Sequence, residues 1–309
     1  MAKLLCLLAF ILISQSAFSA DPWNVYQFNK REHKLWYEWW YYKIVLPETN
    51  DSFFFVYGIV NPADSQHGYK GTRSYVQAGD FSQKIQVEEK FPINEFRASE
   101  LQTYVEVSSN VATDKFFKGS ITDKKGNPIS WNIKIENRWA FNAEGWLMGR
   151  LITDIEWYPA AADARCSGTI VSNNKLHSFT DVPCYQDRNW GKTFPDWWAW
   201  IVSNHFEKSP GTALAIGGGK PHIYGERTPF HGVAIGLKHQ GIVYDFRPND
   251  LNYIKTDITF GRWKIRAMDR HYLIEIEASA LTTNLWICSL QLPPESFSMI
   301  MRHSRVFSM

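Results

Sequence analysis

Residues 184–206, CYQDRNWGKTFPDWWAWIVSNHF, place Asp187, Arg188, Asn189 and Asn204 among five aromatic rings between Trp190 and Trp200. A second segment, Trp36-Tyr37-Glu38-Trp39-Trp40-Tyr41-Tyr42-Lys43, again encloses a carboxylate in rings. Tryptophan at this density points to a cavity for a large apolar ligand, or to a stacking surface. In such surroundings Glu38 and Asp187 are the side chains able to exchange a proton with what is bound. Trp198 and Trp200, two residues apart on a strand, project to one side of it, as pocket wall or as core. Trp190 reads either as packing where two halves of the chain meet or as a ligand contact. Glu38 has an alternative in an ion pair with Lys43 or Arg188. Asp187 has one as a turn or salt-bridge carboxylate beside Arg188.

Other chemistries lack their residues. The chain has no Gly-x-Ser-x-Gly elbow, no CxxC, no HExxH and no close Cys/His cluster, so no metal site is expected. His205, His222 and His231 are scattered. Gly217-Gly218-Gly219 follows a strand pattern and precedes no helix, so it reads as a bulge or bend and not as a phosphate loop. The net charge of +2 comes from 33 basic and 31 acidic residues without long blocks, which leaves no electrostatic footprint for nucleic acid.

The elements that must position these residues are strands. Short runs of β-formers recur between turn signals, such as Asp123-Lys-Lys-Gly126-Asn-Pro128, Ser172-Asn-Asn-Lys175 and His239-Gln240-Gly241. No segment sustains a helical apolar stripe beyond about ten residues, and Asn94–Leu101 is the best helical candidate. The expectation is an all-β chain of two antiparallel barrels or sandwiches packed side by side, residues 21–183 and 184–309. Pro159-Ala-Ala-Ala-Asp-Ala-Arg165 breaks the strand rhythm ahead of that boundary. Residues 285–309, with Pro293-Pro294 and no alternation, are atypical of either half.

Residues 1–20 have the form of a removable export signal: Lys3, an apolar run from Leu4 to Ile13, and small residues at 16–20. The expected location is therefore periplasmic or secreted. In an oxidising compartment Cys166 and Cys184 could bridge; the alternative is three free buried thiols, with Cys288 the third.

The two aromatic segments carry a resemblance. Tyr37-Glu38-Trp39-Trp40-Tyr41-Tyr42-Lys43, then Tyr57…Asn61-Pro62 and Gln77, are similar in order to the N-terminal motifs of the tocopherol cyclase family. Trp39 stands where that family has Gly. Tyr185-Gln186-Asp187-Arg188-Asn189-Trp190-Gly191…Phe194-Pro195…Trp198-Ala199-Trp200, followed by Asn204 and the triple glycine, resembles its central motif, with Asp187 in place of Glu. A more distant resemblance is to the carotenoid 1,2-hydratases. The tocopherol cyclase resemblance spans residues 36–280, and that family's closing strands are not recognisable after about 281.

The resemblance implies paired lipocalin-like β-barrels and a cofactor-free reaction on a prenylated phenol, quinol or polyene. A carboxylic acid protonates a prenyl double bond, and a phenolic oxygen or water captures the cation. It implies Glu38 and Asp187 as catalytic carboxyls, with Trp40, Tyr41, Gln77, Asn189, Trp190, Trp198, Trp200 and Asn204 against the substrate. The expected partner is a small hydrophobic ligand, with peripheral membrane contact but no transmembrane segment. A non-catalytic carrier with the same cavity is the alternative.

Overall fold

The computed structural model describes residues 21–28, 35–63, 71–123, 126–259 and 262–279, and the backbone of strands at 285–291 and 296–302. The export signal expected at 1–20 and the side chain of Cys288 lie outside the described residues. None of the described helices is long and apolar enough to cross a membrane.

The first part is one antiparallel sheet of eleven strands. In chain order they are β1 (Tyr37–Leu46), β2 (Asp51–Val60), β3 (Arg73–Asp80), β4 (Ile85–Phe91), β5 (Phe96–Ala98) and β6 (Tyr104–Val107). Then come β7 (Asn110–Thr113), β8 (Phe116–Thr122), β9 (Pro128–Trp139), β10 (Ile155–Ser172) and β11 (Lys175–Gly191). The spatial order is β4-β3-β2-β1-β11-β10-β9-β8-β7-β6-β5, and the sheet curls until β4 comes against β8. Its interior is filled with side chains, among them Trp40, Tyr42, Phe55, Tyr57, Phe117 and Trp131. An interior polar chain runs from ring to backbone: Trp131 Nε1 donates to Tyr57 Oη (2.9 Å), which donates to the Lys118 carbonyl (2.8 Å).

The second part has β12 (Trp198–Ser203), β13 (Ala213–Gly219), a small hairpin of β14 (His222–Ile223) and β15 (Glu226–Arg227), β16 (Gly232–His239) and β17 (Ile242–Phe246). It continues with β18 (Tyr253–Thr259), β19 (Arg262–Met268) and β20 (Leu273–Ser279), then the paired β21 (Leu285–Gln291) and β22 (Ser296–Arg302). The sheet β12-β13-β16-β17 and the sheet β18-β19-β20 share a core of Ile216, Ile235, Phe246, Ile265 and neighbours. The chain is thus all-β and two-part.

Turn chemistry is as expected. Asn173 and Asn174 both take positive φ (49° and 59°) between β10 and β11, as do Gln240 and Gly241 (51° and 80°) between β16 and β17. Paired positive φ is the geometry that matches strand twist in a two-residue hairpin.

Three expectations change. The stretch 159–165 does not end a strand, since β10 runs through it with register shifts between Tyr158 and Ala161, Ala161 and Ala164. Bulges there accommodate Pro159, and the small alanines let the bent strand stay packed. Residue 184 therefore falls inside β11, and the chain leaves the large sheet only after Gly191. Asn94–Leu101 forms no helix: a 3-10 turn at Ile93–Glu95 leads into β5, because pairing with β6 satisfies more backbone than one isolated turn could.

Cys166 and Cys184 are joined by a disulfide across β10 and β11. The bridge spans 18 positions, a loop worth about 3 kcal/mol in the chain-entropy description. Replacing both by serine should lower the unfolding free energy, read from denaturant titrations, by that amount without altering the far-ultraviolet dichroism. Reductant should have the same effect on the wild type and none on the variant.

Candidate active site

Strand alternation sorts the two aromatic segments onto two faces. On β1 the even residues Trp40, Tyr42 and Ile44 point into the barrel, and the odd residues Tyr37, Trp39 and Tyr41 point out toward the second part. β11 lies antiparallel beside it, with Tyr41 opposite Asp187 and Trp40 opposite Arg188. Asp187 and Asn189 therefore share the outer face with Trp39 and Tyr41. Arg188 and Trp190 share the inner one with Glu38.

On the outer face, between the large sheet and β12-β13-β16, lies a cavity of about 310 Å³. Trp39, Tyr41, Trp157, Phe194, Trp198 and Trp200 form its aromatic walls. The rings brace one another edge-on: Tyr41 against Trp200 at 5.6 Å, Tyr185 against Trp200 at 5.7 Å, Phe194 against Trp198 at 5.5 Å. Two turns, one from each part, border it and are tied to each other. Arg247 Nε donates to the Asn142 carbonyl (2.8 Å), and Asn249 Nδ2 to the Glu144 carbonyl (3.0 Å).

Asp187 is the aspartate of this wall. Its Oδ2 accepts from Trp157 Nε1 (3.1 Å) and Tyr185 Oη (2.9 Å), while buried Oδ1 has no protein partner. Burial pushes its carboxyl up to about 7, and the two donors pull in the opposite direction. A group that titrates there, with one oxygen unpartnered and its residue lining an apolar cavity, is equipped for proton transfer.

Glu38 is elsewhere. It is fully buried on the inner face, ion-paired with Arg188, and accepts from Gln27 N (2.9 Å) and Trp36 Nε1 (3.3 Å). Burial pushes its carboxyl up to about 7, against the pull of Arg188 and the two donors. Arg188 also donates to the Val25 carbonyl (2.6 Å) and lies 3.9 Å over the Trp40 ring. This network leaves Glu38 no path to the cavity. The ion-pair alternative is the arrangement found, and the two carboxyls do not face one pocket.

Of the other expected residues, Tyr41, Gln77, Asn189, Trp198 and Trp200 line the cavity. Trp40 does not, because its even position turns it into the barrel core. Trp190 does not either: it packs with Phe28, Trp36 and Tyr158. Asn204 binds backbone instead, donating to the Cys184 carbonyl (2.7 Å) and the Ala164 carbonyl (3.3 Å), beside a separate hollow of about 130 Å³.

Two residues of the cavity escaped the sequence reading. Trp157 sits on β10 amid a run that alternates poorly, and Glu144 sits in the β9–β10 loop beside Gly145-Trp146. The only signal was the pair Glu156-Trp157, the same juxtaposition as Glu38-Trp39; Glu144 is separated from Trp146 by Gly145. The triple glycine is also explained. β13 runs through it in unbroken register, so it is no bulge; a Cβ on Gly217 would lie 2.4 Å from the Trp157 ring. Gly217→Ala should therefore displace Trp157 from Asp187 and cost about 1–3 kcal/mol of stability, read from denaturant midpoints. An unchanged midpoint would mean that the ring relocates freely.

Residues 64–301 match the family described as tocopherol cyclase-like. The match begins after the Glu38 segment and, contrary to the expected end near 281, runs on into β22. A protein of Oryza sativa subsp. japonica named as a probable chloroplastic tocopherol cyclase is 26% identical over 297 residues, covering 79% of this chain and 62% of that one. The chloroplastic tocopherol cyclase of Zea mays is 22% identical over 301 residues, with the same coverage. The chain thus spans about 62% of the length of these relatives. Kievitone hydratase from Nectria haematococca superposes with a TM-score of 0.52 at 10% identity, over 93% of this chain and 92% of that one. That likeness is one of fold, a lipocalin-like pair of β-structures. With well over half of its residues inside the match, the chain belongs to the tocopherol cyclase-like family.

Proposed function

We propose that this protein is an exported enzyme that cyclises or hydrates a prenylated phenol, quinol or polyene by acid catalysis, without a cofactor. The observation that carries the reading is Asp187: a buried carboxyl with one free oxygen, titrating near neutrality, in a wall of aromatic faces. A prenyl double bond protonated in this cavity becomes a tertiary cation. Ring faces such as Trp39, Trp157, Trp198 and Trp200 stabilise a desolvated cation by about 2 kcal/mol or more per contact. Capture by a phenolic oxygen or by water completes the reaction, and that oxygen's proton returns to a wall carboxylate. Asn189 and Gln77 are the neutral polar groups placed to orient a hydroxyl.

Export is supported by the leader-like residues 1–20 and by the Cys166–Cys184 disulfide, a bond kept in oxidising compartments. Incubating the purified protein with a panel of prenylated quinols and polyenes, followed by mass spectrometry, tests the activity. Isomer or hydrate formed by the wild type is the expected result. Tight binding of the panel without any conversion would leave the carrier reading in its place.

A further inference from the structure

Two carboxyl residues, not one, line the cavity, and a single residue holds both. The backbone N–H of Trp157 donates to Glu144 Oε1 (2.9 Å), and its indole N–H donates to Asp187 Oδ2 (3.1 Å). Both carboxyls line the cavity. We propose that they divide the proton transfers: Glu144 is the acid that protonates the double bond, and Asp187 is the base that takes the proton of the attacking oxygen. This rests on the acid-catalysed reading of the cavity.

The surroundings of the two groups set the division. Asp187 receives two side-chain donors, from Trp157 and Tyr185, which favour its ionised form. Glu144 receives one main-chain donor and has Glu156 behind it. Glu156 is fully buried, and its two oxygens accept from Gly149 N (2.5 Å) and Leu151 N (2.6 Å). Burial raises the Glu156 carboxyl too, but those two bonds pull it back toward charge, and charge on Glu156 disfavours a second charge on Glu144. Burial first, then Glu156, pushes the Glu144 carboxyl well above the usual range. Two carboxyls driven apart in this way assign themselves as acid and base.

The remaining charged and titratable neighbours do not reverse the order. Arg247, on the facing turn, is committed to Asp245, Asp250 and the Asn142 carbonyl. Tyr37 lies in the field of both Glu144 and Asp154, and Asp154 accepts from Gly225 N (2.8 Å). Near Asp187, Tyr185 also accepts from Trp200 Nε1 (3.4 Å), and Arg188 turns to Glu38 on the other face.

The balance is simple. The Glu144 O–H bond breaks as its proton joins the less substituted alkene carbon; the π pair becomes that C–H bond and leaves a tertiary cation. A lone pair of the phenolic or water oxygen forms the C–O bond, and that oxygen's proton passes to Oδ1 of Asp187. Exchange with solvent on product release resets both groups, and nothing is oxidised or reduced.

Infrared spectroscopy of the full protein reads protonated carboxyls without turnover. At about pH 8.5, above the titration of Asp187, a protonated-carboxyl band should be present in the wild type and in Asp187→Asn, and absent in Glu144→Gln. In Glu156→Gln, where the positioning charge is gone, that band should titrate at lower pH. With a prenylated quinol, Glu144→Gln and Asp187→Asn should each lower kcat by about 10²–10⁴-fold. Glu144→Gln should lose the alkaline limb of the rate profile, Asp187→Asn the acid limb, and Glu156→Gln should shift the alkaline limb downward.

A band that survives Glu144→Gln, or a wild type without it, overturns the assignment. If Glu144→Gln does not fold, a band unmoved in Glu156→Gln overturns it equally. Wild-type turnover with Glu144→Gln unimpaired rejects the division but keeps the enzyme. No wild-type turnover on any substrate rejects the enzyme, and the spectra still decide where the proton sits.

Discussion

Asp187→Asn is expected to lose activity by about 10²–10⁴-fold while becoming more stable than the wild type at neutral and alkaline pH. Its carboxyl is held near 7 in the folded protein, against 3.8 for the free group, because burial penalises the charge. Below about pH 4 the group is neutral in both folded and unfolded chains and has no effect on the balance. Between about 4 and 7 the unfolded chain releases the proton and the folded one keeps it, so unfolding becomes easier as pH rises. The drop is about 1.4 kcal/mol per pH unit at its steepest, or roughly 4 kcal/mol across the window as an upper bound. Asparagine does not titrate. The variant should match the wild type near pH 4 and exceed it by a few kcal/mol at pH 8, in denaturant titrations at each pH. Parallel stability profiles would show that Asp187 is not held protonated by burial, and the case for its chemistry would weaken with it.

Glu38→Ala should do the opposite, removing about 3–5 kcal/mol of stability and touching no atom of the cavity. The variant strands the Arg188 guanidinium in a fully buried site, where it has carbonyls and the Trp40 ring but no counter-charge. Leaving one member of a buried pair unpaired costs far more than the pair itself contributes. Replacing both, as Glu38→Leu with Arg188→Met, should restore much of the loss. Unfolding midpoints of the single and double variants check this, and ligand affinity of Glu38→Ala below its melting point should stay near the wild-type value. A strong loss of turnover in a still-folded Glu38 variant would return that residue to the chemistry.

The contrast between the two carboxylates shows where sequence reading stops. Strand content and the turns at Asn173-Asn174 and Gln240-Gly241 follow from local rules, and they were legible; the Cys166–Cys184 bridge was one of two readings left open until the structure paired them. Period-two alternation also separates Trp39 and Tyr41 from Glu38 and Trp40 within β1. What alternation cannot supply is register. Asp187 joins the odd face of β1 only because Tyr41 pairs with it, and a shift of one residue would have sent Arg188 there instead. Glu144 was not legible, because it lies in a loop whose position over the cavity depends on Arg247 and Asn249 from the second part. Gly217 looked like a break in a strand; the reason for it is a ring on another element, Trp157, which no local pattern encodes.

The pairing of β1 with β11 has a consequence for how the molecule is made. Its central ion pair joins residues 150 positions apart. Such distant closure carries an entropic cost before any contact offsets it, and sheets built this way fold in milliseconds to seconds, not microseconds. Until β11 docks, the aromatic rows of β1 and β2 are an open apolar edge. The segment that completes the cavity wall is thus also the one that ends the chain's exposure to aggregation, and a slow step in its docking would be felt first as lost yield.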